Sequence, residues 1–258
     1  VLEPAEPLPP MTQEDLESER FQIKAVSAIE EELDRILKTR KQSRIQTIAD
    51  MVIRNYGHLD EKINFYQNLR SLEDYVSRHS LNVAILCAMI THVMNIRREE
   101  QYHTVCAALL HDMGKLKKHE DVYFGAPYSR EDAIRNCETQ EEAYSVIEDA
   151  FATEGPAIRR ICQQAAGKQL DLFPEEGKES RYKMLEGSNV LLVANRYDEI
   201  TAMTLQGTAQ SEVKAAQELL EHPEVYDPET VQALLRSINI LPPGASVELS
   251  TGEKALVL

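Results

Sequence analysis

An apolar run that ends in a histidine and an aspartate is the most informative stretch of this chain. Residues 105–115 read VCAALLHDMGK, so His111 and Asp112 directly follow six apolar residues. Polar groups at the end of a buried helix cost free energy unless a partner satisfies them. A divalent cation would do so, because imidazole and carboxylate are ligands for iron, manganese and zinc. This pair alone leaves open the alternative of a hydrogen-bonded structural histidine.

A second histidine is predicted to point into the core. His79 shares one face of a predicted helix with apolar residues at helical spacing, which are Val83, Leu86, Cys87 and Ile90. His79 therefore faces the interior rather than water. It is either a metal ligand or a packing histidine satisfied by ordinary hydrogen bonds.

A carboxylate later in the chain has the same unusual placement. Asp198 falls on one helical face with Leu191, Ala194 and Ala202, so it too is predicted to point inward. The alternative is a surface acid that lies beside Arg196 and Glu199.

The rest of the chain is helical in pattern, which predicts an all-α fold. The candidate helices are residues 13–40, 45–56, 59–69, 72–94, 99–111, 131–152 and 188–203. Asp227, Pro228 and Glu229 predict the start of another helix that runs to about Ser237. Near the end, a Thr-Gly turn between residues 247–249 and 254–257 predicts a small β-hairpin.

Three regions are predicted along the chain. Residues 1–12 are acidic and rich in proline, so they predict a flexible linker that cannot bury enough apolar area to order itself. Residues 13–70 form an N-terminal helical region, and residues 71–258 form the main domain. The long first helix is expected either to pack on its own domain or to form a homodimer or transmit a signal.

Charge and composition exclude several classes of function. The chain has 43 acidic and 28 basic side chains and a net charge of −15. Binding to a nucleic-acid polymer or an anionic membrane needs a cationic surface, so neither is expected as the main task. The longest apolar run, residues 83–90, is too short for membrane insertion. Four scattered cysteines without a CxxC pair indicate reduced thiols and a cytoplasmic location.

Three stretches carry a resemblance to a known family. They are residues 75–84 (YVSRHSLNVA), 109–115 (LLHDMGK) and 193–201 (VANRYDEIT), and residues 242–250 (PPGASVELS) add to them. Over residues 45–258 the chain resembles the HD superfamily of metal-dependent phosphohydrolases. It is most similar to the HD-GYP branch, the cyclic di-GMP phosphodiesterases.

The resemblance implies a fold and a set of site residues. The fold would be an HD-domain helical bundle with N-terminal helices and a small C-terminal β-hairpin. The family's ligand order, H…HD…D, falls on His79, His111, Asp112 and Asp198. These four residues would hold a divalent transition metal: iron or manganese is expected first, with zinc, nickel and magnesium as alternatives. Asp112 and Lys115 would be catalytic, with Lys115 offsetting charge on a phosphate.

The chain also departs from the HD-GYP pattern. A further metal-binding histidine of that branch falls at Thr139, and its His-His-Glu and Gly-Tyr-Pro fall on residues 162–174, CQQAAGKQLDLFP. No histidine occurs between His119 and His222. Because amides cannot replace three imidazoles, only one ion is expected, and a two-metal mechanism is not.

Two hypotheses about function follow from these residues. The first is a mononuclear HD phosphohydrolase that acts on a nucleotide, a cyclic dinucleotide or another phosphate ester. The second is a catalytically inactive HD-GYP-like regulatory module, a pseudoenzyme that binds a nucleotide or a protein partner. Retention of all four ligands and Lys115 favours the first hypothesis, and loss of the branch's signature favours the second.

Overall fold

The chain folds almost entirely into helices, which confirms the predicted all-α class. A computed structural model describes residues 13–65, 67–117, 129–174, 183–203, 209–241, 246–248 and 251–256. The helices are α1 (Gln13–Thr39), α2 (Ile45–Tyr56), α3 (Tyr75–Val93), α4 (Arg98–Leu110), α5 (Arg130–Phe151), α6 (Gly155–Gln169), α7 (Glu186–Thr201), α8 (Glu212–Glu221) and α9 (Pro228–Ser237). Short 3₁₀ helices cover Met113–Lys117 and Leu170–Leu172.

Helix α3 lies at the centre of the molecule. Helices α1, α2, α4, α7 and α9 all pack against it. All eight residues of its apolar run, residues 83–90, are buried. A helix that is apolar all round is typical of a core position. This position places His79 in the interior, as its spacing predicts.

The N-terminal helices share the same hydrophobic core as the rest of the chain. Ile29, Leu33 and Ile36 of α1 are fully buried, and so are Ile45 and Val52 of α2. This packing supports the expectation that the first helix packs on its own domain.

Side chains cap the starts of several helices. Ser129, Ser211 and Asp227 each accept a hydrogen bond from the backbone N–H three residues later, at the starts of α5, α8 and α9. These caps satisfy N–H groups that a helix leaves free. The predicted helix start at Asp227 is therefore confirmed, and α9 ends at Ser237 as expected.

The predicted helix at residues 59–69 is wrong. The described residues of this segment are not helical, and Ile63 instead pairs with the chain after α9. Its backbone N–H donates to Ser237 and its carbonyl accepts from Asn239. Farther on, the backbone N–H of Arg70 donates to Met203. These long-range backbone contacts tie Ile63 to the chain after α9 and Arg70 to the chain after α7.

The predicted β-hairpin is present at the end of the chain. Strands β1 (Ser246–Glu248) and β2 (Lys254–Leu256) pair antiparallel. The predicted linker at 1–12, His119 and residues 242–245 lie outside the described part of the chain. Among the helices that the structure describes, none combines the length and the apolar character needed to cross a bilayer.

Candidate metal centre

Side chains from three helices meet in the interior. His79 comes from α3, His111 and Asp112 follow the last residue of α4, and Asn195 comes from α7. Ligand atoms of His79, His111 and Asp112 all lie within 4.8 Å of one another. The Nε2 atoms of the two histidines are 3.1 Å apart, and Oδ1 of Asn195 is 2.9 Å from each of them.

A close approach between two elements fixes the position of the HD pair. A Cβ atom at Gly114 would lie 2.3 Å from the backbone oxygen of Thr139 on α5, so a larger residue would push the elements apart. The N–H of Gly114 donates to Oε1 of Gln140, and Nε2 of Gln140 donates to Oδ1 of Asp112 at 2.9 Å. Gln140 therefore orients Asp112.

The hydrogen bonds of both histidines place a proton on Nδ1. Nδ1 of His79 lies 2.6 Å from Oδ2 of Asp198, and Nδ1 of His111 lies 2.8 Å from the backbone oxygen of Ala108. Both oxygens are acceptors, so each Nδ1 must carry the ring's proton. In a neutral imidazole the other nitrogen then presents a lone pair. Burial lowers the pKa of His111, which favours this neutral form.

The amide of Asn195 is oriented in the same way. Its Nδ2 donates to Oε1 of Glu199 at 3.1 Å, so its Oδ1 must face the two imidazoles. Burial raises the pKa of Glu199, while Arg196 and Lys115 oppose this shift.

The central atoms form a cluster of acceptors without donors of their own. The two Nε2 atoms and Oδ1 of Asn195 lie 2.9–3.1 Å apart, and Oδ2 of Asp112 is 3.4 Å from Nε2 of His79. Ligands bound about 2.1 Å from one ion at right angles are about 3 Å apart. The spacing and the donor set therefore fit a single divalent cation.

Asp112 is held as a carboxylate by its neighbours. Nζ of Lys115 donates to its Oδ2 at 2.6 Å, and both side chains are almost fully buried. Burial favours the neutral acid, but Lys115 and the two imidazoles outweigh this effect and hold the pKa of Asp112 well below its usual value. A carboxylate offers about four lone pairs, so these hydrogen bonds leave room for a metal ion.

Asp198 lies on the far side of the His79 ring and is not part of the acceptor cluster. Arg70 contacts both of its oxygens, at 2.7 and 2.8 Å, and Gln67 and Asn82 donate to Oδ1. Burial disfavours the charge, yet Arg70 and His79 hold the pKa of Asp198 well below its usual value. This placement does not support the expected direct coordination by Asp198. Its contact with Nδ1 instead fixes which nitrogen of His79 faces the centre.

The other side of the centre offers few ligands. A cavity there is lined by His111, Asp112, Lys115, Asn195 and Glu199, together with Asn136, Cys137, Gln140, Cys162, Ala165, Ala166, Gln169, Leu191 and Leu192. Thr139 is not among these residues, and its hydroxyl donates to the backbone oxygen of Arg135. Gln164 is also absent, since its amide ties α6 to residues 183–188.

Both thiols beside this cavity are protonated. Burial, with Glu141, raises the pKa of Cys137 to about 11, and burial also raises the pKa of Cys162. The described lining of this cavity has no imidazole other than His111.

Comparison with known proteins identifies the fold around this centre. The family described as HD domain matches residues 76–203. The chain contains an HD domain. The matched residues include His79, His111, Asp112, Asn195 and Asp198. HD domains bind divalent metals, and the match supports a metal-dependent phosphohydrolase kind of function. No curated protein and no solved structure is significantly similar to the chain.

Proposed function

We propose that this HD domain is a mononuclear metal-dependent phosphohydrolase. His79, His111, Asp112 and Asn195 hold one divalent transition metal ion, and Asp198 acts on it through His79. The proposal rests on one observation: two Nε2 lone pairs and an amide oxygen converge at 2.9–3.1 Å with no donor between them. Iron or manganese suits two imidazoles with two oxygens, and zinc, nickel and magnesium are the alternatives.

The chain's own residues prepare a phosphate site beside the ion. A bound divalent ion polarises a phosphoryl oxygen and lowers the pKa of a bound water. Lys115 has three N–H donors, and its contact with Asp112 uses one of them. Because Lys115 also lines the cavity, its ammonium can donate to a phosphate oxygen and offset negative charge there.

The substrate class is a nucleotide or another phosphate ester. The resemblance to the HD-GYP branch adds cyclic dinucleotides to this class. The loss of the second imidazole set argues against the two-metal chemistry of that branch. Neutral amides of Asn136, Gln140 and Gln169 line the cavity and offer hydrogen bonds to an ester without adding charge.

A specific observation favours the second candidate, a regulatory module that binds without cleaving. The cavity has a volume of about 30 Å³. This volume holds roughly two water molecules, because a cavity needs about 10–15 Å³ for each one. Lys115 has only 2% of its side chain exposed. A nucleotide would therefore need the described lining to open before its phosphate reached Lys115.

Hydrolysis by the metal-loaded protein separates the two candidates. Protein reconstituted with Mn²⁺ or Fe²⁺ is assayed on p-nitrophenyl phosphate, its bis-ester, GTP and cyclic di-GMP, with His111→Ala as the matched control. Metal-dependent turnover that is absent in His111→Ala supports the phosphohydrolase. Binding of metal and nucleotide without turnover of any ester would instead support the regulatory module.

A further inference from the structure

Glu199 is a buried acid beside the metal centre, and no step proposed above uses it. It lies on α7, one helical turn after Asn195, and has 6% of its surface exposed. Its Oε1 accepts from Nδ2 of Asn195 at 3.1 Å, and its Oε2 accepts from Nε2 of Gln169 at 3.1 Å. Burying a carboxylate is costly, so a position this close to the ligands calls for an explanation.

Surrounding residues hold Glu199 in place. A guanidinium nitrogen of Arg196 lies 3.6 Å from Oε2, on the same helix. Glu218 on α8 accepts from Nε of Arg196 at 2.7 Å, which fixes the arginine from its other side. The carboxylate is therefore anchored by α6, α7 and α8 and has little freedom to follow a rotation of Asn195.

An amide ligand needs such an anchor, whereas a carboxylate ligand does not. An asparagine has one oxygen and one NH₂ group, and only the oxygen can bind a cation. If the amide rotated by half a turn, its NH₂ would face the ion. An aspartate has two equivalent oxygens, so half a turn changes nothing. The orientation of Asn195 thus decides whether the centre has a fourth ligand.

We infer that Glu199 is a positioning residue for the metal centre, which makes Asn195 a metal ligand by holding its NH₂ group away from the ion. The inference rests on the proposed metal site. Removal of a residue that orients a metal ligand lowers the metal affinity by about 10–100-fold.

Binding of Mn²⁺ tests this role without an activity assay. The free ion is measured by electron paramagnetic resonance during titration of the full chain. Glu199→Met removes both acceptor oxygens at similar size, and we expect metal affinity to fall by about 10–100-fold. Glu221→Met, an exposed change on α8, is the matched control and should bind like the wild type.

The double variant Asn195→Asp/Glu199→Met distinguishes orientation from structural support. If Glu199 acts by orienting the amide, the symmetric aspartate should restore affinity to at least the wild-type value. If Glu199 only supports packing, Glu199→Met will weaken binding as much in the Asn195→Asp background as it does beside Asn195, and the inference is wrong. Equal binding by Glu199→Met and the wild type would also overturn it.

Two further outcomes are distinguishable. If Glu199→Met does not fold, Glu199→Gln takes its place. Glutamine has one side-chain oxygen, which must then accept from the amides of both Asn195 and Gln169. We expect a smaller loss in the same direction, again reversed by Asn195→Asp, and no loss would overturn the inference. A wild-type chain that binds no Mn²⁺ would contradict the proposed metal site itself.

Discussion

Nδ1 of His79 donates to Oδ2 of Asp198 across 2.6 Å, and this hydrogen bond determines which ring nitrogen faces the metal centre. A neutral ring has one N–H, and it donates to Asp198, so Nε2 is left with a lone pair. Arg70 contacts both oxygens of Asp198 and neutralises it. A buried ion pair on one side of the His79 ring thus orients the nitrogen on its other side.

The first prediction concerns the stability of this ion pair. Asp198→Asn leaves Arg70 buried and without its counter-charge, since 1% of the arginine side chain is exposed. We expect the free energy of unfolding to fall by about 3–5 kcal/mol, measured by urea denaturation.

The matched control removes both charges. Arg70→Met/Asp198→Asn should recover much of the loss, because no charge is then left unpaired in the interior. A loss below about 1 kcal/mol in Asp198→Asn alone would indicate that the pair behaves like an exposed one, contrary to this prediction.

The second prediction concerns His111. His111→Ala should abolish metal binding and cost little helix content, because His111 follows the last residue of α4. The readouts are metal content by elemental mass spectrometry and far-ultraviolet circular dichroism. His222→Ala, which removes a half-exposed histidine far along the chain, is the control. Unchanged metal content in His111→Ala would remove the HD pair from the site.

The third prediction concerns Lys115. Lys115→Ala should spare metal binding, because it removes a positive charge that lies 2.6 Å from a ligand carboxylate. It should weaken inorganic phosphate binding to the metal-loaded protein, measured by calorimetric titration. If neither phosphate affinity nor turnover changes, Lys115 has no electrostatic role in the site.

The fourth prediction concerns the pH dependence of a thiol beside the cavity. Burial and Glu141 raise the pKa of Cys137 to about 11, so the reactive thiolate is scarce at neutral pH and increases as pH rises toward that value. At pH 8 we expect alkylation by iodoacetamide to be on the order of 100-fold slower than for a free thiol. Peptide mass spectrometry gives the rate, with urea-unfolded protein as the control. Equal rates in folded and unfolded protein would contradict this pKa.

Periodicity predicted that His79 and Asp198 face the interior, but it could not distinguish Asn195 from Asp198 as the candidate ligand on α7. Asn195 and Asp198 are three residues apart on α7, so both lie on nearly one face. The pattern favours the charged residue as the ligand. Asp198 is paired with Arg70, which directly follows the segment (residues 59–69) that was wrongly predicted as a helix. Only the tertiary structure brings these two residues together.

The missed helices have weak sequence signals. Helix α6 begins at Gly155, and its N-cap residue, Glu154, makes no side-chain cap, so its start is weakly marked in the sequence. Helix α8 (Glu212–Glu221) buries only two alanines and one leucine, so its apolar pattern is weak. In contrast, α2 and α3 have long apolar repeats, and their predicted bounds lie within three residues of the observed ones. Packing, rather than local preference, determines the weaker helices.

Metal content per chain is the measurement that tests the central claim most directly. The protein is purified without chelator, reconstituted with iron or manganese, and examined by elemental mass spectrometry. The account predicts about one transition-metal equivalent per chain, because the four ligands form a single site. A chain that retains no metal after reconstitution would contradict it.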